Sequence, residues 1–190
     1  MEESNLERSV RERLVIAGLD ELHEHGLGDF SLRRVAISAQ VSCAAPYRHF
    51  KDKNELIGAI VEYIASKWKL LCREIENAFS DDPKRLVTEL GVSNLRFWLA
   101  NGAFRTVLMT EAQSNPLFAE KMKDFDSSID LAAERYLTSL GADAQTVAER
   151  KYAIRALIYG TVLLVTQGRE NNDERTILTV RRKLEEQLTV

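Results

Sequence analysis

The sequence predicts an all-α fold of about nine helices, because glycine and proline are scarce and apolar residues recur at helical spacing. With only 9 glycines and 3 prolines among 190 residues, the chain lacks the turn residues that an all-β fold needs. Apolar residues make up 45% of the chain and recur mainly at steps of three and four, as on helices that bury one face. The uninterrupted apolar stretches are too short for a transmembrane helix, so we expect no membrane partner.

Three helices are predicted near the N-terminus. The first extends from about Leu6 to His25. The second is short, from Leu32 to about Ala39, and Ser31 is a suitable N-cap for it. The third is expected from Cys43 to Phe50, with Ser42 as its N-cap. Two short helices that are joined by a tight turn and preceded by a longer helix form a helix-turn-helix.

A long fourth helix and five further helices complete the prediction. The fourth, Lys53–Ala78, spans roughly 39 Å at 1.5 Å per residue, so it must also pack against later parts of the chain. Glycine, asparagine and proline residues separate the later helices. These are predicted at Lys84–Asn101, at Ala103 to about Ala112, at about Leu117 to Leu140, from Asp143 or Thr146 to Gln167, and after the N-cap Asp173.

Charge is distributed unevenly along the chain. The formal net charge is −3, from 26 basic and 29 acidic residues. Residues 31–53 nevertheless carry five basic residues against Asp52 alone, whereas residues 1–30 carry three basic and eight acidic residues. A short basic segment in an acidic chain is typical of a compact polyanion-binding surface. A solvated charged face is the alternative interpretation.

The predicted helix pair carries polar and basic residues on its outer face. They are Arg33, Arg34, Tyr47, Arg48 and His49. This composition is poor for packing between helices and suits phosphates and base edges. It therefore favours a nucleic-acid contact over an α-hairpin within a helical core.

A resemblance to the DNA-binding domain of TetR-family transcriptional regulators lies in the segment Phe30–Ile57, FSLRRVAISAQVSCAAPYRHFKDKNELI. The shared elements are a capping serine, a basic pair, a Val-Ala step, a turn that ends in Val-Ser, and the patterns Tyr-x-His-Phe and Lys-x-x-Leu. The resemblance is detailed over residues 8–68, with the helix-turn-helix at about 31–50. It implies that residues 69–190 form a helical domain for ligand binding and dimerisation.

The resemblance also implies a function. A member of this family acts as a homodimer, in which each subunit places its third helix in the major groove of double-stranded DNA. We therefore expect a ligand-responsive regulator, most often a repressor of a palindromic operator, that is released by an unknown small apolar or amphipathic effector. The alternative is a helical protein-interaction module whose basic segment binds an acidic partner without sequence-specific DNA binding.

The expected DNA contacts lie on the second and third helices. A phosphate contact is expected for Ser31, because backbone N–H groups at a helix N-terminus favour an anion. Arg33 can reach a base or a phosphate, and Arg34 is expected to contact phosphate or solvent. For His49, a core-facing position is the alternative. The full set is Ser31, Arg33, Arg34, Ser42, Cys43, Ala44, Ala45, Tyr47, Arg48, His49 and Lys53.

The third helix begins with small side chains and contains a proline. Cys43, Ala44 and Ala45 occupy the turn expected to face the bases. Their small side chains offer few hydrogen bonds to base edges, so contacts with thymine methyl groups are expected instead. Pro46 removes a backbone donor and disfavours helical geometry at the preceding residue. Gln40 occupies a turn position that is usually glycine in the family, and a left-handed conformation there costs roughly 1 kcal/mol.

Large apolar and amphipathic side chains on the later helices are candidates for an effector site, although ordinary core packing explains most of them individually. Arginine and glutamine side chains near them could orient a ligand. The candidates are Trp68, Phe97, Trp98, Arg105, Met109, Gln113, Phe118, Met122, Phe125, Tyr152 and Tyr159.

The penultimate helix is apolar on nearly every side. Between Ala153 and Val165 only Arg155 is charged, so the helix must be covered on all faces, and a second copy of the chain could cover one. The resemblance likewise implies dimerisation through the last two helices. The expected interface residues are Ile154, Leu157, Ile158, Thr161, Val162, Val165, Ile177, Val180, Arg181, Leu184 and Leu188.

No catalytic, metal or cofactor site is predicted, so an enzyme is disfavoured. The three histidines lie in the first helix or in the DNA-binding motif, and no glycine-rich phosphate loop occurs. Cys43 and Cys72 are 29 positions apart and lack metal-ligand spacing. No signal peptide is visible at the N-terminus, so we expect a reduced, cytoplasmic protein.

Overall fold

The computed structural model describes the backbone of residues 9–111 and 116–189, and their side chains except at 108–111, 116–124 and 126. The described residues form nine helices and no strand, which confirms the all-α prediction. None of these helices is long and apolar enough to cross a membrane, within the described residues. The helices are α1 (Val10–His25), α2 (Leu32–Ser38), α3 (Ala45–His49), α4 (Lys53–Ala78), α5 (Pro83–Ala100), α6 (Gly102–Glu111), α7 (Pro116–Ser139), α8 (Ala144–Thr166) and α9 (Glu174–Gln187).

Capping side chains set where several helices begin. Helix α1 begins at Val10, because Ser9 has a non-helical backbone and forms a capping box with Glu12. The predicted start near Leu6 lies outside the described residues. Asp143 and Asp173 accept backbone N–H groups three residues ahead, at 2.7 and 2.9 Å, and so begin α8 and α9. The predicted cap at Asp173 is therefore confirmed, and of the two starts considered for α8 the structure selects Asp143.

The chain divides into two compact units. Unit 1 comprises Met1–Lys67 and Gly102–Lys121, and unit 2 comprises Trp68–Asn101 and Met122–Val190. Helix α4 contributes its first part to unit 1 and its remainder to unit 2, so it joins them covalently. The predicted domain boundary after residue 68 did not anticipate the second segment of unit 1, and it remains a prediction.

The core of unit 2 is built around α5, α8 and α9, which pack against one another. Their facing residues are almost fully buried, as at Leu90, Ile158 and Leu184. Gly91 permits a close approach of α5 and α9, since a Cβ atom there would lie 2.8 Å from Leu184 Cδ1. The inner faces of both C-terminal helices are thus used within one copy of the chain.

An ion pair also joins α5 to α9. Arg181 donates to both carboxylate oxygens of Glu89, at 2.6 and 2.9 Å. The hydrogen bond from Arg181 outweighs the opposite effect of burial and lowers the pKa of the Glu89 carboxyl below its ordinary value of 4.5. Since the Glu89 side chain is only 18% exposed, this two-point contact is partly protected from solvent screening.

Replacing Glu89 with glutamine is expected to lower the free energy of unfolding at pH 7 by about 1–2 kcal/mol. A folded-state pKa below the unfolded value means that the stabilisation is fully present above about pH 4.5 and is lost as the pH falls through the folded pKa. Urea unfolding at a series of pH values should show the two proteins converging in acid. Glu170→Gln, in an exposed loop, is the control, and a pH-independent difference would contradict a role for the charge.

Candidate nucleic-acid interface

Helices α1, α2 and α3 of unit 1 pack together as a helix-turn-helix. The inward face of α2 is Val35, Ala36 and Ala39, and each is at most 2% exposed, as predicted. The turn passes through Gln40, whose φ of 55° is left-handed, and this also confirms the prediction from sequence. The Val41 N–H then donates to the Ala36 carbonyl at 3.0 Å, which closes the turn.

Helix α3 is shorter than predicted. It extends over Ala45–His49, and its N-cap is Ala44, so the prediction that Ser42 caps a helix from Cys43 is wrong. The reason is Pro46, which has no N–H to donate to the Ser42 carbonyl. The regular helix therefore starts later, and the Ala45 N–H closes only a turn to Ser42 at 2.9 Å.

The outer surface of the turn and α3 carries most of the predicted contacts. Cys43 and Ala44 are exposed, and so are Ser42, Tyr47, Arg48 and His49. The core-facing alternative for His49 is therefore wrong. Ala45 is only 8% exposed, so it offers little surface for its predicted contact with a base.

A buried carboxylate fixes the start of α2. Glu21, 6% exposed on α1, accepts the Ser31 N–H at 2.9 Å and the Arg34 Nε–H at 2.8 Å. Burial has the largest single effect and raises the pKa of this carboxyl, but the hydrogen bonds from Arg34 and Ser31, together with the charges of Arg34 and His25, bring the pKa below its ordinary value of 4.5. The Ser31 hydroxyl in turn accepts a hydrogen bond from the backbone N–H of Arg34 at 3.4 Å, which confirms Ser31 as the N-cap of α2.

Arg34 belongs to this internal network. Its guanidinium pairs with Glu21 at 2.6 Å and with Asp29 at 3.3 Å, and it also donates to the Asp29 carbonyl. Arg34 is therefore paired with two carboxylates, although its side chain is 39% exposed, and its predicted contact with phosphate or solvent stays a prediction. By contrast, no carboxylate among the described residues lies within ion-pair distance of the exposed Arg33 or Arg48.

Lys53 stabilises the loop between α1 and α2. Its ammonium group donates to the Leu27 carbonyl at 2.7 Å and lies 5.6 Å from the centre of the Phe30 ring. Two of its N–H groups stay available, so its contact with the DNA backbone remains a prediction. Glu21 and Leu27 were missed as positioning residues, because carboxylate pairing and carbonyl acceptance across ten or more positions leave no pattern in the sequence.

Five of the candidate effector-site residues form one group in unit 2, which we call the aromatic cluster. Its rings lie 5.1–5.9 Å from their nearest neighbours in the group. Three of its members are at most 1% exposed, and the other two are half-buried. The cluster consists of Trp68, Phe97, Trp98, Phe125 and Tyr159.

The other candidates for the effector site lie elsewhere or beyond the description. Tyr152 is 70% exposed on α8 and lies outside the aromatic cluster, so its contact with an effector stays a prediction. Arg105 belongs to unit 1, where burial lowers its pKa. Gln113 lies outside the described residues, as do the side chains of Met109, Phe118 and Met122. Asn94, a buried amide beside the cluster, was not predicted from the sequence. An asparagine among apolar helix positions could have indicated a buried polar residue.

Most of the predicted dimer residues lie inside the protomer. Eight of them are at most 7% exposed because α8 and α9 bury them in unit 2, so within one copy of the chain they offer little surface to a partner, and their place in an interface stays a prediction. Arg181 is engaged by Glu89, and Leu157 and Val165 are half-buried. The eight are Ile154, Ile158, Thr161, Val162, Ile177, Val180, Leu184 and Leu188.

A different set of apolar residues faces outward on these two helices. Tyr152 and Leu163 are 70% and 55% exposed on α8, with the exposed Ala156 between them at helical spacing. Leu178 is 60% exposed on α9. Apart from its chain neighbours and the nearby backbone of α8 itself, no heavy atom of the described residues lies within 4 Å of the position that a Cβ of Gly160 would take, so the backbone of α8 is accessible there. We call Tyr152, Ala156, Leu163 and Leu178 the α8–α9 surface.

Comparison with known proteins identifies similar chains. Residues 14–60 match the model of bacterial regulatory proteins, tetR family. A stretch of 75 residues is 36% identical to the HTH-type transcriptional regulator BetI of Pseudomonas fluorescens, covering 40% of this chain and only 38% of that protein.

Solved structures share the fold over nearly the whole chain. A TetR transcription regulator from Haloarcula marismortui has a TM-score of 0.76 at 16% identity, over 94% of this chain and 96% of its own. A transcriptional regulator from Rhodococcus sp. Rha1 has a TM-score of 0.73 at 22% identity, over 95% and 94%. The regulator FadR from Bacillus subtilis, in complex with stearoyl-CoA, has a TM-score of 0.70 at 17% identity, over 93% and 96%.

Proposed function

Since the chain belongs to the TetR family of bacterial regulatory proteins, we propose that it is a ligand-responsive repressor that binds a palindromic operator as a homodimer. Members of this family are transcriptional regulators and not enzymes. The observation that carries the proposal is the outer surface of α3 and its preceding turn, where Tyr47, Arg48 and His49 are exposed beside small residues. This surface lies on a helix-turn-helix that a buried carboxylate holds together.

In this proposal the protein recognises the DNA sequence through few direct contacts. Cys43 and Ala44 are small enough to let α3 approach the groove closely and offer contacts to thymine methyl groups. Arg33 and Arg48, which have no carboxylate partner among the described residues, supply charge for guanine edges or phosphates. Specificity beyond these contacts comes from the shape of the DNA.

Control by a ligand follows from the geometry of a dimer. Two α3 helices enter successive major grooves only if they lie about 34–36 Å apart, or a compatible multiple. An effector that binds unit 2 better in an arrangement with another spacing lowers DNA affinity by its preference for that arrangement. Helix α4 supports such coupling, because it is continuous from unit 1 into unit 2. The complex of FadR with stearoyl-CoA supports ligand binding by this fold, without indicating the same ligand here.

Selection from a library of genomic fragments, followed by gel shifts, tests the proposal. The wild-type chain should enrich a palindrome-like site. The double variant Arg33→Ala/Arg48→Ala should bind that site about 100-fold more weakly, since each base or phosphate contact is worth about 1–3 kcal/mol. Arg73→Ala, an exposed arginine of unit 2, is the matched control and should bind as the wild type does. Failure to enrich any site would favour a protein-interaction module instead.

A further inference from the structure

Trp68, within the aromatic cluster, and Asn94, beside it, each carry a buried polar atom that has no hydrogen-bond partner among the described residues. The atoms are the indole Nε1 of Trp68, a residue that is 1% exposed, and the amide Oδ1 of Asn94, a residue that is fully buried. A buried polar group without a partner keeps the full cost of its lost hydration, and such groups are rare in folded proteins. Two of them at one ring cluster therefore require an explanation.

Phe125 contacts both of the residues that carry these atoms. Its ring stacks on Trp68 with centroids 5.9 Å apart, and its backbone carbonyl accepts the Asn94 Nδ2–H at 3.3 Å. That bond also fixes the orientation of the amide, since only its NH₂ group can donate to a carbonyl. The Asn94 oxygen is consequently the atom left to accept, and the Trp68 N–H is the atom left to donate.

We propose that the aromatic cluster is the effector site and that the effector is a flat, neutral, ring-containing molecule with one hydrogen-bond acceptor and one donor. The acceptor takes the Trp68 N–H, and the donor binds the Asn94 Oδ1. This inference rests on the proposed function, since it names the ligand class of a ligand-responsive regulator. Aromatic faces favour stacked rings, and burial of an ion in such surroundings carries a large desolvation cost, so a neutral ligand is favoured.

Access to the site is provided by the outer members of the cluster. Phe97 and Tyr159 are half-buried, whereas Trp68, Trp98 and Phe125 are at most 1% exposed. Neighbouring ring centroids are 5.1–5.9 Å apart, which is contact distance for aromatic pairs, so a ligand that enters between two rings must displace one of the half-buried ones. Binding is then tied to a change in the packing of α4, α5, α7 and α8, which carry the five rings of the cluster. Such a change is what a ligand needs to shift the protein between two arrangements.

Three small probes of similar ring size test this chemistry. The probe 2-quinolinone carries a carbonyl acceptor next to an N–H donor, naphthalene carries neither, and 1-naphthoate carries a charge. Equilibrium dialysis against the full chain should give saturable binding of 2-quinolinone, with binding of 1-naphthoate at least about tenfold weaker. Trp68→Phe keeps a ring and removes the N–H. It should weaken 2-quinolinone binding about fivefold to tenfold and change naphthalene binding by less than twofold.

Asn94→Leu should likewise weaken 2-quinolinone binding and leave naphthalene binding nearly unchanged. If Asn94→Leu does not fold, the result for Trp68→Phe alone tests the inference. The inference is overturned if the wild type shows no saturable 2-quinolinone binding, if 1-naphthoate binds as tightly, or if Trp68→Phe weakens both neutral probes equally. None of these measurements includes DNA. If the protein binds the probes selectively but forms no operator complex, the proposed function is overturned and the effector site is not. If it forms the operator complex but does not bind the probes selectively, the effector site is overturned and the proposed function is not.

Discussion

Replacing Leu163 and Leu178 together with glutamate is expected to convert the proposed dimer into monomers. It should also weaken binding to a full operator by about 100-fold or more. These leucines are 55% and 60% exposed in a single copy of the chain, on two helices that pack against each other. In the proposed homodimer they are covered by the partner, so each glutamate would place a charge in an apolar contact, which is costly without a counter-ion.

The effect on DNA binding is large because dimerisation links two weak contacts. Once one α3 helix is bound, a joined second copy sees its half-site at a high effective concentration, and this is worth about 10²–10⁴ in affinity. A monomer loses that gain and keeps its affinity for a single half-site. Light scattering coupled to gel filtration measures the mass, and fluorescence anisotropy compares full-site and half-site duplexes.

A matched control separates this effect from general damage by a new surface charge. Leu70→Glu, on α4, replaces a leucine of similar exposure, 50%, outside the α8–α9 surface. It should leave both the dimer and the operator affinity unchanged. If the double variant stays dimeric while the Leu70 variant does too, the proposed dimer uses another surface.

The helices were predictable from sequence because their causes are local. Capping by Ser31 and Asp173 depends on a side chain and a backbone N–H three residues away. The left-handed turn at Gln40 follows from a motif of fixed length between two short helices. The late start of α3 was also within reach, since Pro46 alone removes the bond that an earlier start requires.

Side-chain roles that depend on distant neighbours were not predictable. The apolar character of α8 on nearly every side hides which residues face outward, so spacing could not distinguish the buried Ile158 from the exposed Leu163. Counting charges placed Arg34 in a basic segment, although a carboxylate 13 positions earlier neutralises it. Net charge along the chain therefore overstated the free positive charge of the candidate interface.

The same network supplies the largest expected effect within unit 1. Replacing Glu21 with alanine should lower the free energy of unfolding at pH 7 by about 2–4 kcal/mol. The substitution leaves the Ser31 N–H without its acceptor and removes the closest carboxylate partner of Arg34. Part of the loss is recovered, because the Arg34 side chain is 39% exposed and can turn to solvent. Urea unfolding measures the change.

A matched control lies three residues further along the same helix. Glu24→Ala removes the same charge from α1 at a side chain that is 70% exposed, and it should change stability by less than about 0.5 kcal/mol. If both variants lose equal stability, the helix charge and not the buried network is responsible. The pKa of Glu21 is lowered in the folded state, so its contribution should be fully present above about pH 4.5 and disappear as the pH falls through the folded pKa.

Operator binding gives the second measurement on Glu21→Ala, made at a temperature where the variant is still folded. The N–H groups at the start of α2 and the exposed Arg33 are oriented by the Glu21 bonds to Ser31 and Arg34, so their contacts with DNA should weaken. A less stable variant that binds the operator normally would limit Glu21 to folding. A variant whose affinity falls about tenfold while it stays folded would show that the buried carboxylate also aligns the DNA-binding surface.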